Sequence, residues 1–210
     1  MTDLRVAINL ANTQLVTGRA DDGSPTGPAI DFATRVAAGL RRAPEWVEYV
    51  NPAAIVEAAT RDEWDICLIA DDPARAEHVL FTRPWIHLDV CFAAPAASAF
   101  RVNADVDVAG VRVAALAGGA YTHWMERNLT SAELLLCDTI DDSEAAGRDG
   151  RADVVVGLRA RFVAGGQLRA FDETVMTVDQ AVGVRRDSGE RLVKTIRAIV
   201  EQLCDNDGIR

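Results

Sequence analysis

Trp64-Asp65-Ile66-Cys67-Leu68-Ile69-Ala70-Asp71-Asp72-Pro73-Ala74-Arg75 is the stretch that decides how this chain folds. Residues 65–70 form a short apolar run with no alternation. Such a run suits a strand buried on both faces, as in a parallel sheet covered by helices. Asp72-Pro73 then reads as a helix N-cap with proline at the first helical position. The segment is a strand-to-helix junction, and Arg75 is expected in the first helical turn. That is the carboxyl edge of the strand, where open α/β sheets bind ligands. A solvated helix-surface arginine is the other reading of Arg75. Asp72 is assigned to capping.

The flanking segments extend the pattern. Leu4, Val6, Ile8 and Leu10 recur at period two, which predicts a strand. Residues 20–28 are a polar loop or hairpin tip. Ala29, Phe32, Ala33, Val36, Ala37 and Leu40 recur at helical spacing. A short strand at 47–50 precedes Asn51-Pro52, a second cap-proline pair leading a helix through Ile55, Val56 and Ala59. The first part is β-α-β-α-β. The second repeats the logic, with strands at 90–94, 111–116, 133–139, 153–156 and 175–184. Helices are expected at 121–128 and 142–148, with Asp141-Asp142 as a cap. At the end, Leu192, Val193, Ile196, Ile199, Val200 and Leu203 form one apolar stripe, and Asp187 with Glu190 has capping-box spacing. The fold class is α/β: two Rossmann-like lobes joined by a two-strand hinge. Lobe 1 is expected at 1–88 and 183–210 and lobe 2 at 89–182, with a cleft between them.

The 210 residues are 49% hydrophobic, ample for a core. Twenty-two basic against 32 acidic residues give a net charge of −10, which argues against nucleic acid or an anionic membrane surface as main partner. No run approaches the ~18 apolar residues of a membrane span. The strand pattern begins at Leu4 with no leader ahead of it. The chain as given is therefore expected in the cytoplasm, and in the periplasm if a leader was removed. Cys67, Cys91, Cys137 and Cys204 lie far apart, with no zinc spacing, and read as small buried hydrophobes suited to a reducing compartment. No cofactor is expected. There is no G-x-S-x-G, H-E-x-x-H or P-loop, so no catalytic residue is assigned.

Gly118-Gly119-Ala120 sits between a strand and a helix. Amides at a helix start attract an anion, and glycines let it approach the backbone closely. A plain turn is the alternative. Asn9 and Asn12, after the first strand, are either hydrogen-bonding groups of a site or turn residues.

The order of motifs resembles the bacterial family-3 extracellular solute-binding proteins. These are the polar-amino-acid-binding components of ABC transporters, with the type II periplasmic-binding-protein fold. Leu4-Arg5-Val6-Ala7 is similar to the family's opening strand. Gly27-Pro28-Ala29-Ile30-Asp31-Phe32-Ala33 is similar to its entry to the first helix. Trp64 to Arg75, with Phe81-Thr82-Arg83-Pro84-Trp85, resembles the stretch holding the ligand-binding arginine and the hinge approach. Val108-Ala109-Gly110-Val111-Arg112-Val113, closing on Gly118-Gly119-Ala120, resembles the second lobe's opening. Gly150-Arg151-Ala152-Asp153 resembles its Gly-Arg-x-Asp.

The resemblance implies a small carboxylate ligand clamped by Arg75 and the 118–120 turn, and an ABC permease as partner. Asn9 and Asn12 would line the cleft, and Tyr121 and Trp85 are candidate apolar walls, Trp85 packing at the hinge. The departures are chemical. Ile69, Ala70 and Asp71 replace hydroxyl residues before the arginine, and Gly119-Ala120 replaces Thr-Thr. Gly157-Leu158-Arg159 stands where an acid would hold an α-ammonium. Asp71 would have to supply that partner, or Arg159 faces a second anion; Arg159 as a surface residue is the remaining reading. Two rivals share the scaffold: a dehydratase of a cyclic carboxylic acid, with Asp71 as its acid, and a cytosolic ligand sensor.

Overall fold

β1 (Leu4–Asn9) pairs in parallel with β4 (Pro44–Tyr49) on one side and β5 (Ile66–Ala70) on the other. All five residues of β5 are buried, as an unalternating apolar run requires. β11 (Met176–Arg185) closes the far side of β5 in antiparallel register, from Gln180 opposite Ala70 to Val184 opposite Ile66. The computed structural model describes residues 3–165 and 167–209. Met1, Thr2, Gly166 and Arg210, assigned to lobes above, lie outside the described residues. The chain divides into two compact units, Met1–Ile86 with Asp179–Arg210, and His87–Val178. The chain passes from one to the other inside two strands, β11 and β6 (Val79–Pro95).

In unit 1, α1 (Pro28–Gly39) buries Ala29, Ile30, Phe32, Ala33, Val36 and Ala37, the stripe expected from its spacing. Before it, β2 (Gly18–Arg19) and β3 (Pro25–Thr26) make a small hairpin. Asn51 caps α2 (Pro52–Ala58), its side chain accepting the Ala54 N–H at 2.9 Å. Trp64 is fully buried among Ala7, Ile55, Ala58, Cys67 and Val79, and its Nε1 donates to Ile55 O at 2.9 Å. The indole thus meets its one polar need inside the core. α6 (Glu190–Asp207) buries Val193, Ile196, Val200 and Cys204.

In unit 2, β7 (Arg112–Leu116) pairs in parallel with β8 (Glu133–Cys137) and β9 (Val154–Leu158). β6 runs antiparallel to β9, and β10 (Leu168–Ala170) adds to the end of β6. α3 (Ala120–Asn128), α4 (Ile140–Arg148) and α5 (Arg159–Gly165) follow β7, β8 and β9 in turn. Small residues dominate its core, where Ala93, Ala114, Ala146 and Ala152 surround Val155 and Phe162.

Four local expectations change. The strand expected at 90–94 is the second half of a 17-residue strand, because β6 serves both units. α6 is capped by Gly189 without a side-chain bond; Asp187 instead pairs with Arg185 Nε at 3.3 Å. α4 is capped by Thr139, whose Oγ1 accepts the Asp142 N–H at 3.0 Å, so Asp141 and Asp142 lie inside its first turn. α5 and β10 were not anticipated. All four cysteines are buried and free. Among the described residues, no helix is long and apolar enough to cross a membrane.

At the amino edge of the unit 1 sheet, one arginine holds two acids. Arg5 reaches Asp65 at 2.8 Å and Asp62 at 2.7 Å; Arg42 joins Asp65 at 3.0 Å, and Arg185 also pairs with Asp62. Burial alone would raise the Asp65 pKa, but hydrogen bonds from the Arg5 side chain and backbone, with the charges of Arg5 and Arg42, hold it below the usual carboxylate range. A depressed folded pKa stabilises the fold above the unfolded value near 3.9 and loses that contribution as pH falls through the folded value. Asp65→Asn is expected to cost about 1–2 kcal/mol at pH 7 in urea unfolding, for a charged bond only partly shielded from water. The difference from the parent should close as the pH drops below about 3.9. Equal stability at pH 7 would remove the network's role.

Candidate functional site

Parallel strands deliver the loops that follow them to one edge of a sheet. In unit 1 that edge collects the loop after β1 and the turn after β5, with the start of β11 alongside, where Gln180 faces Ala70. Asn9, Asn12, Asp71 and Arg75 all fall there. Gly118, Gly119, Ala120, Tyr121 and Arg159 fall at the corresponding edge of unit 2, after β7 and β9.

Arg75 does not begin an α-helix. Pro73–Arg75 is a single 3-10 turn, because β6 starts at Val79 and leaves no length for more. Asp72 caps it as expected, Oδ1 accepting the Ala74 N–H at 3.1 Å. His78 lies in the turn before β6. Arg75 itself is 3% exposed, and its Nη1 donates to Ala70 O at 2.7 Å. Burial draws the guanidinium pKa down, opposed by the charges of Asp72 and Asp71. An arginine remains protonated even so, so a fixed, largely desolvated cation sits at the carboxyl end of β5.

Asp71 is exposed as a residue, yet its carboxyl is partly desolvated. That desolvation raises its pKa first; the charges of Asp179 and Asp72 add to the rise, and Arg75 opposes it. The backbone N–H of Asp71 donates to Asp179 O at 2.8 Å, which keeps the two acids close. Asn9 Oδ1 accepts the Ala11 N–H at 3.1 Å, the bond of a turn residue. Asn12 is buried, and its main-chain oxygen accepts the N–H groups of Leu15 and Val16 at 3.0 and 2.9 Å.

In unit 2, Gly118 has φ 68°, a left-handed conformation that favours glycine. Gly119 is the N-cap of α3, and its N–H donates to Leu116 O at 3.2 Å. The amides of this helix start that lack an intrahelical acceptor are those of Ala120, Tyr121 and Thr122, since the His123 N–H already donates to Gly119 O at 3.0 Å. A Cβ on Gly119 would lie 3.2 Å from Leu116 O and 3.3 Å from Thr122 Oγ1. Tyr121 is buried, and burial pushes its phenol pKa up. Arg159 opens α5 and donates to Phe171 O at 2.7 Å and to Asp172 O and Thr174 Oγ1 at 3.2 Å. It ties down the 171–174 segment through neutral acceptors, which leaves its charge uncompensated by those bonds. Trp85 stacks on Phe32 of α1, ring centroids 4.7 Å apart and 13° from parallel.

Two groups went unread in the sequence. Gln180 is buried at the edge beside Ala70, and Gln14 Nε2 is sealed from solvent without a partner among the described residues. Glutamine in a loop or on a strand carries no periodic signal that would single it out.

The sequence model of the bacterial extracellular solute-binding proteins, family 3, matches residues 4–209. No curated protein sequence matches the chain. Among solved structures, the ancestral amino acid-binding protein AncCDT-1, a precursor of cyclohexadienyl dehydratase, is 20% identical with a TM-score of 0.80, the match covering 99% of this chain and 91% of that one. An arginine 3rd transport system periplasmic binding protein from Legionella pneumophila is 14% identical with a TM-score of 0.84, covering 99% and 96%. The periplasmic VFT2 domain of BvgS from Bordetella pertussis is 18% identical with a TM-score of 0.80, covering 98% and 89%. The fold is that of the type II periplasmic-binding proteins.

The raised Asp71 pKa has a measurable sign. Its ionised form is less favoured in the folded chain than in the unfolded one. The resulting cost is absent below the unfolded value near 3.9 and grows as pH rises through the folded value. Asp71→Asn is expected to raise the melting temperature at pH 7, with the gain disappearing below about pH 4. An unchanged or lower melting temperature at pH 7 would refute the combined desolvation and repulsion that disfavour the ionised Asp71.

Proposed function

Because the chain belongs to the bacterial extracellular solute-binding proteins, family 3, we propose that it captures a small carboxylate-bearing solute, amino-acid-like or an organic acid, for ABC-type transport. Arg75 is the anchor. The observation that carries this is a guanidinium 3% exposed, held to Ala70 O at the carboxyl edge of a buried strand. A fixed fork of donors matches a carboxylate in two places, which a lysine ammonium does not. In unit 2, the amides of Ala120, Tyr121 and Thr122 at the start of α3 are the second anion-attracting element.

The partner for transport is an ABC-type permease. We take the extracellular side as the compartment, since the family is an extracellular one. The four free cysteines are all buried, which suits an oxidising compartment as well as a reducing one. Burial pushes the Cys67 pKa up to about 12, which keeps it an inert thiol in either setting.

A second reading, a dehydratase of a cyclic carboxylic acid, is favoured by one observation. Asp71 has a raised pKa beside Arg75, which suits a group that carries a proton to a leaving hydroxyl. The likeness to a precursor of cyclohexadienyl dehydratase fits that reading. Incubation with a cyclohexadienyl acid decides it: an aromatic product whose formation is lost in Asp71→Asn supports the enzyme, and unchanged substrate supports the binding protein.

Calorimetry against amino acids, dicarboxylates and aromatic acids tests the first reading. Arg75→Ala should cost about 2–5 kcal/mol of binding free energy, the usual loss for a buried charged pair. Arg75→Lys should also weaken binding, because one point charge cannot make the two-pronged contact. Gly119→Val should weaken it by steric exclusion at unchanged charge. Arg159→Ala should leave monocarboxylates unaffected; a loss confined to dianions would assign Arg159 a second anion. Parent-like affinity in Arg75→Ala would end the carboxylate reading.

A further inference from the structure

β8 is the edge strand of unit 2, and among the described residues it pairs with β7 alone. The Glu133 N–H donates to Val111 O at 2.8 Å, and Cys137 O accepts the Ala117 N–H at 2.9 Å. Main-chain groups alternate in direction along a strand, so Glu133, Leu135 and Cys137 turn theirs to β7. The N–H and C=O groups of Leu134 and Leu136 point away from it. Side chains alternate as well. Leu135 and Cys137 pack on the core with Ala114, Ala146 and Val155, which sets Leu134 and Leu136 on the opposite face. There Leu136 is 50% exposed.

The edge strand of unit 1, β4, is guarded. The Leu4 N–H donates to Ala43 O and the Leu10 N–H to Tyr49 O, so Pro44, Trp46 and Glu48 turn their main chain outward. Pro44 has no N–H to offer, and Glu48 is paired with Arg19 at 2.6 Å. Proline and charge are the usual protections of an open edge. β8 has neither between Glu133 and Asp138, only Leu134-Leu135-Leu136-Cys137.

We propose that β8 pairs with β8 of a second copy of this chain, antiparallel about a two-fold axis at Leu135. In that register Leu134 lies opposite Leu136 of the second copy, and Leu136 opposite its Leu134. All four residues aim their main-chain groups at the other copy, so each pair closes two hydrogen bonds. The four leucine side chains meet on one face and cover one another. Charge selects the direction. Antiparallel, Glu133 faces Cys137 and Asp138 faces Ala132, so no acid meets an acid. Parallel and in register, Glu133 would stand beside Glu133 and Asp138 beside Asp138, which like charges oppose. The edge is complementary to itself, which favours a second copy over an unrelated extended peptide.

Sedimentation velocity from micromolar to near-millimolar concentration tests this, in about 0.15 M salt, where the net charge of −10 on each chain is largely screened. The parent should pass from monomer to dimer across the series. Leu136→Lys should weaken the dimer at least about 10-fold, because two leucines per dimer lose their cover. It should melt with the parent, since the side chain is half-exposed. Leu135→Cys should give a disulfide-linked dimer on mild oxidation, with the link between the two introduced thiols. A non-hydrogen-bonded antiparallel pair sets its Cα atoms about 4.5 Å apart, within disulfide reach. The parent should give no such link. A parent that stays monomeric throughout overturns the proposal and leaves the edge to another protein's strand or to none. A dimer as strong in Leu136→Lys as in the parent overturns it by placing the interface elsewhere. Should Leu136→Lys melt lower, the crosslink decides alone, and its absence in Leu135→Cys overturns the two-fold pairing.

Discussion

Parallel pairing is the constraint from which the functional geometry follows. With β4, β1 and β5 side by side and pointing one way, the loops after β1 and β5 must emerge together. β7, β8 and β9 impose the same rule on unit 2. Chemistry-bearing residues distant in sequence are thereby gathered without any local signal joining them. Asn12 and Arg75 share an edge because β1 and β5 share a ladder. The burial of β5 then fixes where that edge lies, since a strand with five buried residues has no freedom to slide in register.

The same constraint explains why Arg75 is tucked in. The strand before it and the strand after it both belong to the core of unit 1, and Val79 is itself buried. A turn squeezed between two buried strands turns its side chain inward, where Ala70 O receives it. A longer helix would have carried the arginine out over the surface, with its charge in water and its orientation unset. Shortness here is a means of preorganisation, since a cation already fixed and dry loses little freedom when it meets an anion.

Local signals read well from the sequence. The α/β class, the buried run of β5, the caps at Asn51 and Asp72 and the stripes of α1 and α6 each depend on residues within one turn or strand. What could not be read depends on distant partners. The 3-10 turn is short because of where β6 begins. Asp187 fails as a cap because Arg185 engages it. Arg159 bonds a segment 12 to 15 residues further on. Gln14 stands out only once its surroundings are known to offer it nothing.

The insertion of β11 beside β5 also orders events in time. Unit 2 is one continuous stretch, whereas unit 1 is completed by a segment that follows unit 2. Val182, whose N–H donates to Thr82 Oγ1, lies 100 positions after it. A ribosome delivers residues from the amino end. The nascent chain therefore carries β5 with one edge unpaired throughout the synthesis of unit 2, which can fold as soon as it emerges. Ile66–Ala70, entirely apolar, is the kind of edge that joins other chains when left open. The arrival of β11 is what closes it, so that edge stays open until the chain has passed through the whole of unit 2.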